Sequence, residues 1–344
     1  MKVLLIALAL AVVVGSSPTF LGHVTSQDLF SLWESWKLQH GKSYATAEEE
    51  LHRYNIFIQN YKIIQQWNSE KHTSTMALNL FADLTREEFR NAYMGGTYTV
   101  HDEAEEMNLE LSAPLPASWD WRTKRAVTPV KAQGACMADY AFAAIATLET
   151  MYVTSAFGFL TPFSEQQIVD CDQEDGQCKG GNAENAIDYA QVGVMTEDDY
   201  PYKGSKGKCA FDQSKAKNVT QGVLLPKSKN TTALKAAVIT NPTAVIVEAD
   251  EAVWQFYSGG TITANCSGHV NHWVTIVGYG NSTSDQQDAF YVKNSWGTSW
   301  GDKGYVYIGT DNSANNGVGV CGILTRPVYP FPYIGPMEDS AIEI

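Results

Sequence analysis

Hydrophobic and polar residues alternate in three different ways along the chain. After Lys2 an unbroken apolar run covers Val3–Val14 and ends at Gly15, Ser16 and Ser17. That pattern predicts a cleaved secretory leader at residues 1–17, since spanning a bilayer takes about 20 apolar residues. Over residues 26–93 the period becomes helical. Phe30, Trp33 and Trp36 recur at three-residue spacing, and Tyr54, Phe57, Ile58 and Tyr61 recur three and four apart, with charges between them. Gly95-Gly96 and the acidic stretch His101–Glu110 end this pattern, so residues 94–114 are expected to form a linker open to proteolysis. From Leu115 the composition shifts to Pro, Gly, Trp and Cys. Residues 138–152 predict a buried helix with Phe142, Ile145, Leu148 and Tyr152 on one side. Short β-prone runs follow at Ala244–Val247, Trp273–Val277, Ala289–Lys293 and Tyr305–Ile308, separated by glycine-rich turns. Helices first and strands second imply an α+β fold of two lobes over residues 115–330. Residues 331–344 read as an acidic tail, and no repeat or low-complexity tract is present.

Charge and cysteines narrow the setting. The chain has 344 residues and a formal charge of −14, with no Lys/Arg block, which argues against a nucleic-acid partner. All six cysteines, Cys136, Cys171, Cys178, Cys209, Cys266 and Cys321, lie in the later part of the chain. An even count behind a leader predicts three disulfides, with the connectivity left open. Glycosylation sequons stand at Asn218, Asn230, Asn265 and Asn281; Asn265, beside Cys266, is expected to be the least accessible. A glycosylated protein of the secretory pathway, extracellular or lysosomal/vacuolar, fits these features. No metal or other cofactor is implied.

Several ordered motifs then converge. Glu49, Arg53, Phe57, Asn60, Ile64 and Asn68 have the spacing of an ERFNIN helix, followed by Asn79, Phe81 and Asp83, with Ala77 where glycine is usual. Downstream come Leu115-Pro116-Ala117-Ser118-Trp119-Asp120-Trp121-Arg122, Val127-Thr128-Pro129-Val130-Lys131, Ser164-Glu165-Gln166, Val169-Asp170-Cys171, Cys178-Lys179-Gly180-Gly181, Asn271-His272 and Asn294-Ser295-Trp296-Gly297. The chain resembles papain-like cysteine proteases of the cathepsin L type from about residue 30 to residue 330. The resemblance implies a two-lobed domain behind an inhibitory prosegment at 26–93, and the pairing Cys136–Cys178, Cys171–Cys209 and Cys266–Cys321. It also implies a peptide cleft lined by Gly180, Gly181, Asn182, Ala183, Asn271, Trp273, Trp296 and Arg326.

The chemistry of such a site is specific. It needs a thiolate at a helix N-terminus, an imidazole, a group holding the imidazole, and an amide donor facing the oxyanion. Gln133 matches the oxyanion donor, His272 the imidazole and Asn294 its holder. A lone histidine is more often structural, but only His269 and His272 follow Leu115, and the Val-Asn-His-Trp-Val context selects His272. The family runs Gln-Gly-x-Cys-Gly-Ser-Cys-Trp-Ala-Phe, whereas this chain runs Gln133-Gly134-Ala135-Cys136-Met137-Ala138-Asp139-Tyr140-Ala141-Phe142. With Cys136 in register as the disulfide cysteine, Asp139 falls at the nucleophile position. Met137 replaces a glycine, Trp273 stands where a small residue is usual and is expected to narrow the cleft, and Arg326 falls at a side-chain pocket that would then favour acidic groups.

The leading expectation is therefore a pseudoprotease, a monomer that binds a peptide or protein ligand, such as a cystatin-like inhibitor or its own prosegment. The alternative is a papain-family peptidase with residual or altered hydrolase activity through His272, Asn294 and Gln133. A third reading, a prosegment released to inhibit active relatives, competes with its simpler role in helping the domain fold. An aspartic-protease mechanism lacks the second carboxylate it requires.

Overall fold

The structure is a computed structural model describing residues 25–95, 114–157 and 159–333. The expected leader, residues 96–113 of the linker and residues 334–344 of the tail lie outside the described residues. Eight helices are described: α1 (Ser26–His40), α2 (Ala47–Ser69), α3 (Arg86–Tyr93), α4 (Asp139–Tyr152), α5 (Glu165–Cys171), α6 (Ala183–Tyr189), α7 (Thr231–Thr240) and α8 (Ala252–Gln255). The strands are β1 (Ser74–Met76), β2 (Trp119–Asp120), β3 (Thr220–Leu224), β4 (Thr243–Val247), β5 (Tyr257–Ile262), β6 (His272–Asn281), β7 (Asp288–Lys293), β8 (Tyr305–Gly309) and β9 (Tyr329–Pro332).

Residues up to Ala45 form a unit of their own. Helix α1 starts at a capping box, in which Thr25 and Asp28 exchange side-chain and backbone hydrogen bonds, and stops at Gly41 with φ of 61°. Trp33 stacks on both Trp36 and Tyr44. The predicted stripe holds for the two tryptophans, but Phe30 is 49% exposed.

Everything from Thr46 onward is one unit with two lobes. In one lobe, α4, α5 and α6 bury Tyr140, Ile145, Leu148, Ile168, Val169 and Ile187. Helix α4 was expected to bury one side; instead it is buried all round from Asp139 to Met151, because helices cover one face and β6 covers the other. In the other lobe a seven-stranded sheet runs β1-β5-β8-β7-β6-β2, with β4 also pairing β6. It encloses Trp254, Ile276, Phe290, Val292, Trp300 and Val306. Strands β3 and β9 form a separate pair. Three disulfides join Cys136 to Cys178, Cys171 to Cys209 and Cys266 to Cys321.

The N-terminal segment is built into this unit. Strand β1 adds antiparallel to β5 at the sheet edge. The approach needs glycine at 260: φ is 74°, and a Cβ there would lie 2.1 Å from the Thr73 carbonyl oxygen. Along α2 the buried residues are Ile56, Phe57, Asn60 and Ile64, so the predicted stripe of Tyr54, Phe57, Ile58 and Tyr61 is rotated. The rotation serves polar motif residues. Arg53 binds Glu88 at 2.8 Å and the Asp83 carbonyl at 3.1 Å, and Asn60 donates to the Ala82 and Leu84 carbonyls, both at 2.9 Å. Asn79 then reaches the Gln255 carbonyl at 2.7 Å, and Arg86 pairs with Glu251 at 2.7 Å. Among the described residues no helix is long and apolar enough to cross a membrane.

Candidate active site

The site is assembled where α4 begins and β6 begins. The Cys136–Cys178 bridge pins the turn before α4, and Asp139 is the first helical residue behind an uncapped Ala138. Its carboxylate therefore sits at the positive end of a 14-residue helix, where the macrodipole favours negative charge. Asp139 Oδ1 accepts the Tyr140 N–H at 3.0 Å, and Oδ2 accepts the Trp273 N–H at 3.0 Å. His272 Nδ1 lies 2.8 Å from the same Oδ2, at ion-pair distance, although the ring N–H is not aligned for a hydrogen bond. On its other side His272 Nε2 is 2.8 Å from Asn294 Oδ1, which also accepts the Ser295 N–H. An oxygen therefore lies beside each ring nitrogen. Both Asp139 and His272 are 0% exposed, and Trp296 covers the imidazole with ring centroids 4.7 Å apart.

Gln133 completes the group. Its Oε1 accepts the Ser295 hydroxyl at 2.6 Å, and its Nε2 donates to the Cys136 carbonyl at 3.1 Å and the Tyr93 carbonyl at 3.3 Å. The chain continues from Tyr93 to Gly95, which passes between Asp139 and Gly180. Phe81 and Phe89 stand edge-on to Trp296, at 5.7 and 5.2 Å. Residues 81–93 thus engage the donor of the site and pack on the indole that covers its imidazole. Only the break at Gly95-Gly96 marked this position in the sequence, where it read as the end of a helix.

The remaining residues expected to line the cleft divide by what they touch. Gly180 (φ 101°) and Gly181 form a wall beside Gly95 and Trp273 respectively. Asn182 spends its side chain capping α6, and Ala183 is buried beneath it. Asn271 bridges Asp250, at 2.6 Å, and the Ala249 N–H, at 2.9 Å. Trp273 does not project into open cleft as expected: it is buried in the core of the helical lobe, with its indole N–H on the Gly181 carbonyl at 3.2 Å. Arg326 is also buried, and its guanidinium binds Glu184 Oε2 at 2.7 and 3.1 Å, a partner sequence reading did not find. Among the sequons, Asn218, Asn265 and Asn281 are exposed. Asn230, not Asn265, is the least accessible, because it is half-buried and caps α7 through the Ala233 N–H.

A second carboxylate cluster lies behind the wall. Asp175 Oδ1 accepts the Asn182 N–H at 2.9 Å, and a Cβ on Gly181 would fall 2.6 Å from its Cγ. Burial pushes the Asp175 carboxyl up to about 8, with neighbouring Asp172 adding to the rise. Burial also raises the Tyr140 hydroxyl, with Asp175 and Asp172 next in effect. Among the described residues no group of three or more His, Cys, Asp or Glu side chains is placed to hold a metal.

The arrangement therefore offers an imidazole held by an amide, a second amide facing the same space, and a carboxylate locked at the helix start. Comparison with known proteins gives this constellation its setting. Residues 115–331 match the papain family cysteine protease domain, and residues 33–89 match the cathepsin propeptide inhibitor domain. Chymopapain of Carica papaya is 36% identical over 345 residues, covering 96% of this chain and 97% of that protein. Among solved structures, a recombinant stem bromelain precursor superposes with a TM-score of 0.81 at 34% identity, covering 89% of this chain and 99% of that one. The digestive procathepsin L2 proteinase of Tenebrio molitor larval midgut gives 0.80 at 33% identity, with 88% and 99% covered. With both its N-terminal segment and its two-lobed domain matched, the chain belongs to the papain family of cysteine proteases and carries the family's propeptide inhibitor domain.

Proposed function

We propose that this chain is a papain-family pseudoprotease: Asp139 stands at the nucleophile position, cysteine-peptidase chemistry is lost, and the cleft serves to bind a peptide or a protein inhibitor. The observation that carries the reading is the Asp139–His272 contact at the start of α4, in a chain whose six cysteines are all joined in disulfides. A carboxylate takes the place of the family's thiolate beside the imidazole, and no sulfur is left to attack a carbonyl.

A carboxylate does not substitute chemically. If it attacked an amide, the tetrahedral intermediate would expel the carboxylate, a weak base with a pKa of about 3.9, before the amine. As a base on water Asp139 is poorly placed, since it is fully buried and both its oxygens already have partners. The pocket once expected to draw acidic side chains through Arg326 has that charge matched by Glu184. The leader, disulfides and sequons support a glycosylated protein of the secretory pathway, extracellular or lysosomal/vacuolar.

The test is hydrolysis of a mixed peptide library by the processed protein beside an Asp139→Cys variant. The expected result is a silent wild type and a variant that gains thiol-dependent cleavage. Cleavage by the wild type that a thiol-alkylating reagent leaves untouched would sink the proposal and favour a residual hydrolase using His272, Asn294 and Gln133.

A further inference from the structure

We infer that Asp139 is a steric gate for glycine: an extended peptide enters this cleft only where a glycine lies over the Asp139 carboxylate, and Gly95, just beyond the chain's own prosegment, is the resident example. The inference rests on the reading of the cleft as a binding site.

Two neighbours leave Gly95 no room for a side chain or for retreat. A Cβ added to Gly95 would lie 2.5 Å from Asp139 Oδ1, 3.0 Å from Oδ2 and 3.2 Å from Cγ. Opposite, a Cβ on Gly180 would lie 1.8 Å from the Gly95 carbonyl oxygen. The slot between Asp139 and Gly180 is therefore one bare backbone wide. Gly95 is not among the residues with positive φ, so its conformation does not call for glycine. Space does.

Whether the gate holds depends on whether Asp139 can move aside. A close approach to the tip of a loose side chain is easily relieved, but this carboxylate is clamped. Oδ2 is held by the Trp273 N–H and by His272, Oδ1 takes the Tyr140 N–H, and the residue is fully buried at the first position of a packed helix. Turning it away from Gly95 would strip a buried N–H and a buried imidazole of their partner. The residue that removes the nucleophile thus also sets which backbone fits above it. A side chain larger than hydrogen at this place forces overpacking that the surroundings cannot absorb.

The test is a double-substitution cycle in the full-length proprotein, read by amide hydrogen exchange over residues 86–95. Gly95→Ala alone should speed exchange there by ~10-fold or more, the scale of ordinary overpacking. With Asp139→Gly already present, the same change should have less than about a twofold effect. If Gly95→Ala prevents folding, restoration of folding by Asp139→Gly supports the gate, and failure to restore it overturns the gate. An equal effect in both backgrounds, or no effect of Gly95→Ala alone, also overturns it. A second arm adds synthetic peptides copying residues 86–100, with glycine or alanine at position 95, to the Gly95→Ala protein. Preference for the glycine peptide by ~10-fold is expected; equal binding, or none by either, overturns the claim for external ligands. None of these readouts depends on hydrolysis, so a wild type that cleaved peptides would refute the proposed function without deciding the gate.

Discussion

At its first residue helix α4 offers Asp139 to His272 and the Trp273 N–H; about 15 Å farther along its axis it offers Glu149 to a different set of partners. Glu149 bonds the Thr128 hydroxyl, accepts the Phe163 N–H at 3.1 Å and lies 3.3 Å from Lys131. Thr128 in turn receives Lys293 at 2.9 Å. Burial works to lower Lys131, but Glu165 and Glu149 outweigh it and hold its ammonium above the usual range. Lys293, buried more deeply, is lowered by burial despite Glu149. Both ends of α4 thus bury a carboxylate against the sheet lobe. The far end sets it beside Lys131, an ammonium shared by Glu149, Glu165 and Glu197. The near end sets it against a single imidazole that Asn294 also holds. The difference separates a many-membered joint between lobes from a site built on one pair.

The comparison is sharpened first by removing its stronger member. Glu149→Ala should cost about 3–5 kcal/mol, because it breaks a buried pair with Lys131 and strips the Phe163 N–H and the Thr128 hydroxyl of their acceptor, and urea unfolding would show it. Asp175 is next, as a buried acid with no cation on it. Its carboxyl is raised from 3.8 to about 8, so the folded state holds the proton more tightly than the unfolded chain. That contribution is complete below pH 4 and is lost as pH rises through about 8. Stability should therefore fall by about 3–4 kcal/mol between pH 5 and 8 in the wild type, and Asp175→Asn should flatten the slope. Denaturant titrations at the two pH values decide this; an unchanged slope in the variant refutes it. Asp139→Ala should cost less than Glu149→Ala, about 1–2 kcal/mol, since the Trp273 N–H loses its acceptor while His272 keeps Asn294. Equal losses from the two alanine variants would break the comparison. Smallest of all, Arg326→Ala should cost about 1 kcal/mol, because Glu184 is partly exposed and regains water. A larger loss in thermal unfolding would mean that this pair, too, is a structural joint.

Much of this architecture is legible from local signals in the chain. Gln133, Asp139, His272 and Asn294 each sit in a distinctive tripeptide or longer context, and short-range context is what a single sequence displays. Strand cores at β4, β6, β7 and β8 were visible for the same reason, as runs of branched and aromatic residues. What stayed hidden were properties set by distant partners. Arg326 and Glu184 are 142 residues apart, and nothing local in either one announces the other. Trp273 read as an obstruction because its burial depends on the helical lobe closing over it. Strand β5 escaped notice because its glycines look like a turn until β1 is laid along them. Gly95 read as a breaker, since the close approach that demands it comes from residues 139 and 180.

The complete pairing of the cysteines has one more consequence. A thiolate in a secreted enzyme can be carried by peroxide to sulfenic, sulfinic and sulfonic acids, and it is poisoned by mercurials and alkylating reagents. A carboxylate has no such ladder to climb. The charge beside His272 is therefore indifferent to oxidants and to thiol poisons, and a cleft built on it keeps the same electrostatic character for as long as the fold lasts. Reagents that find papain-like enzymes by capturing their sulfur would pass this protein by.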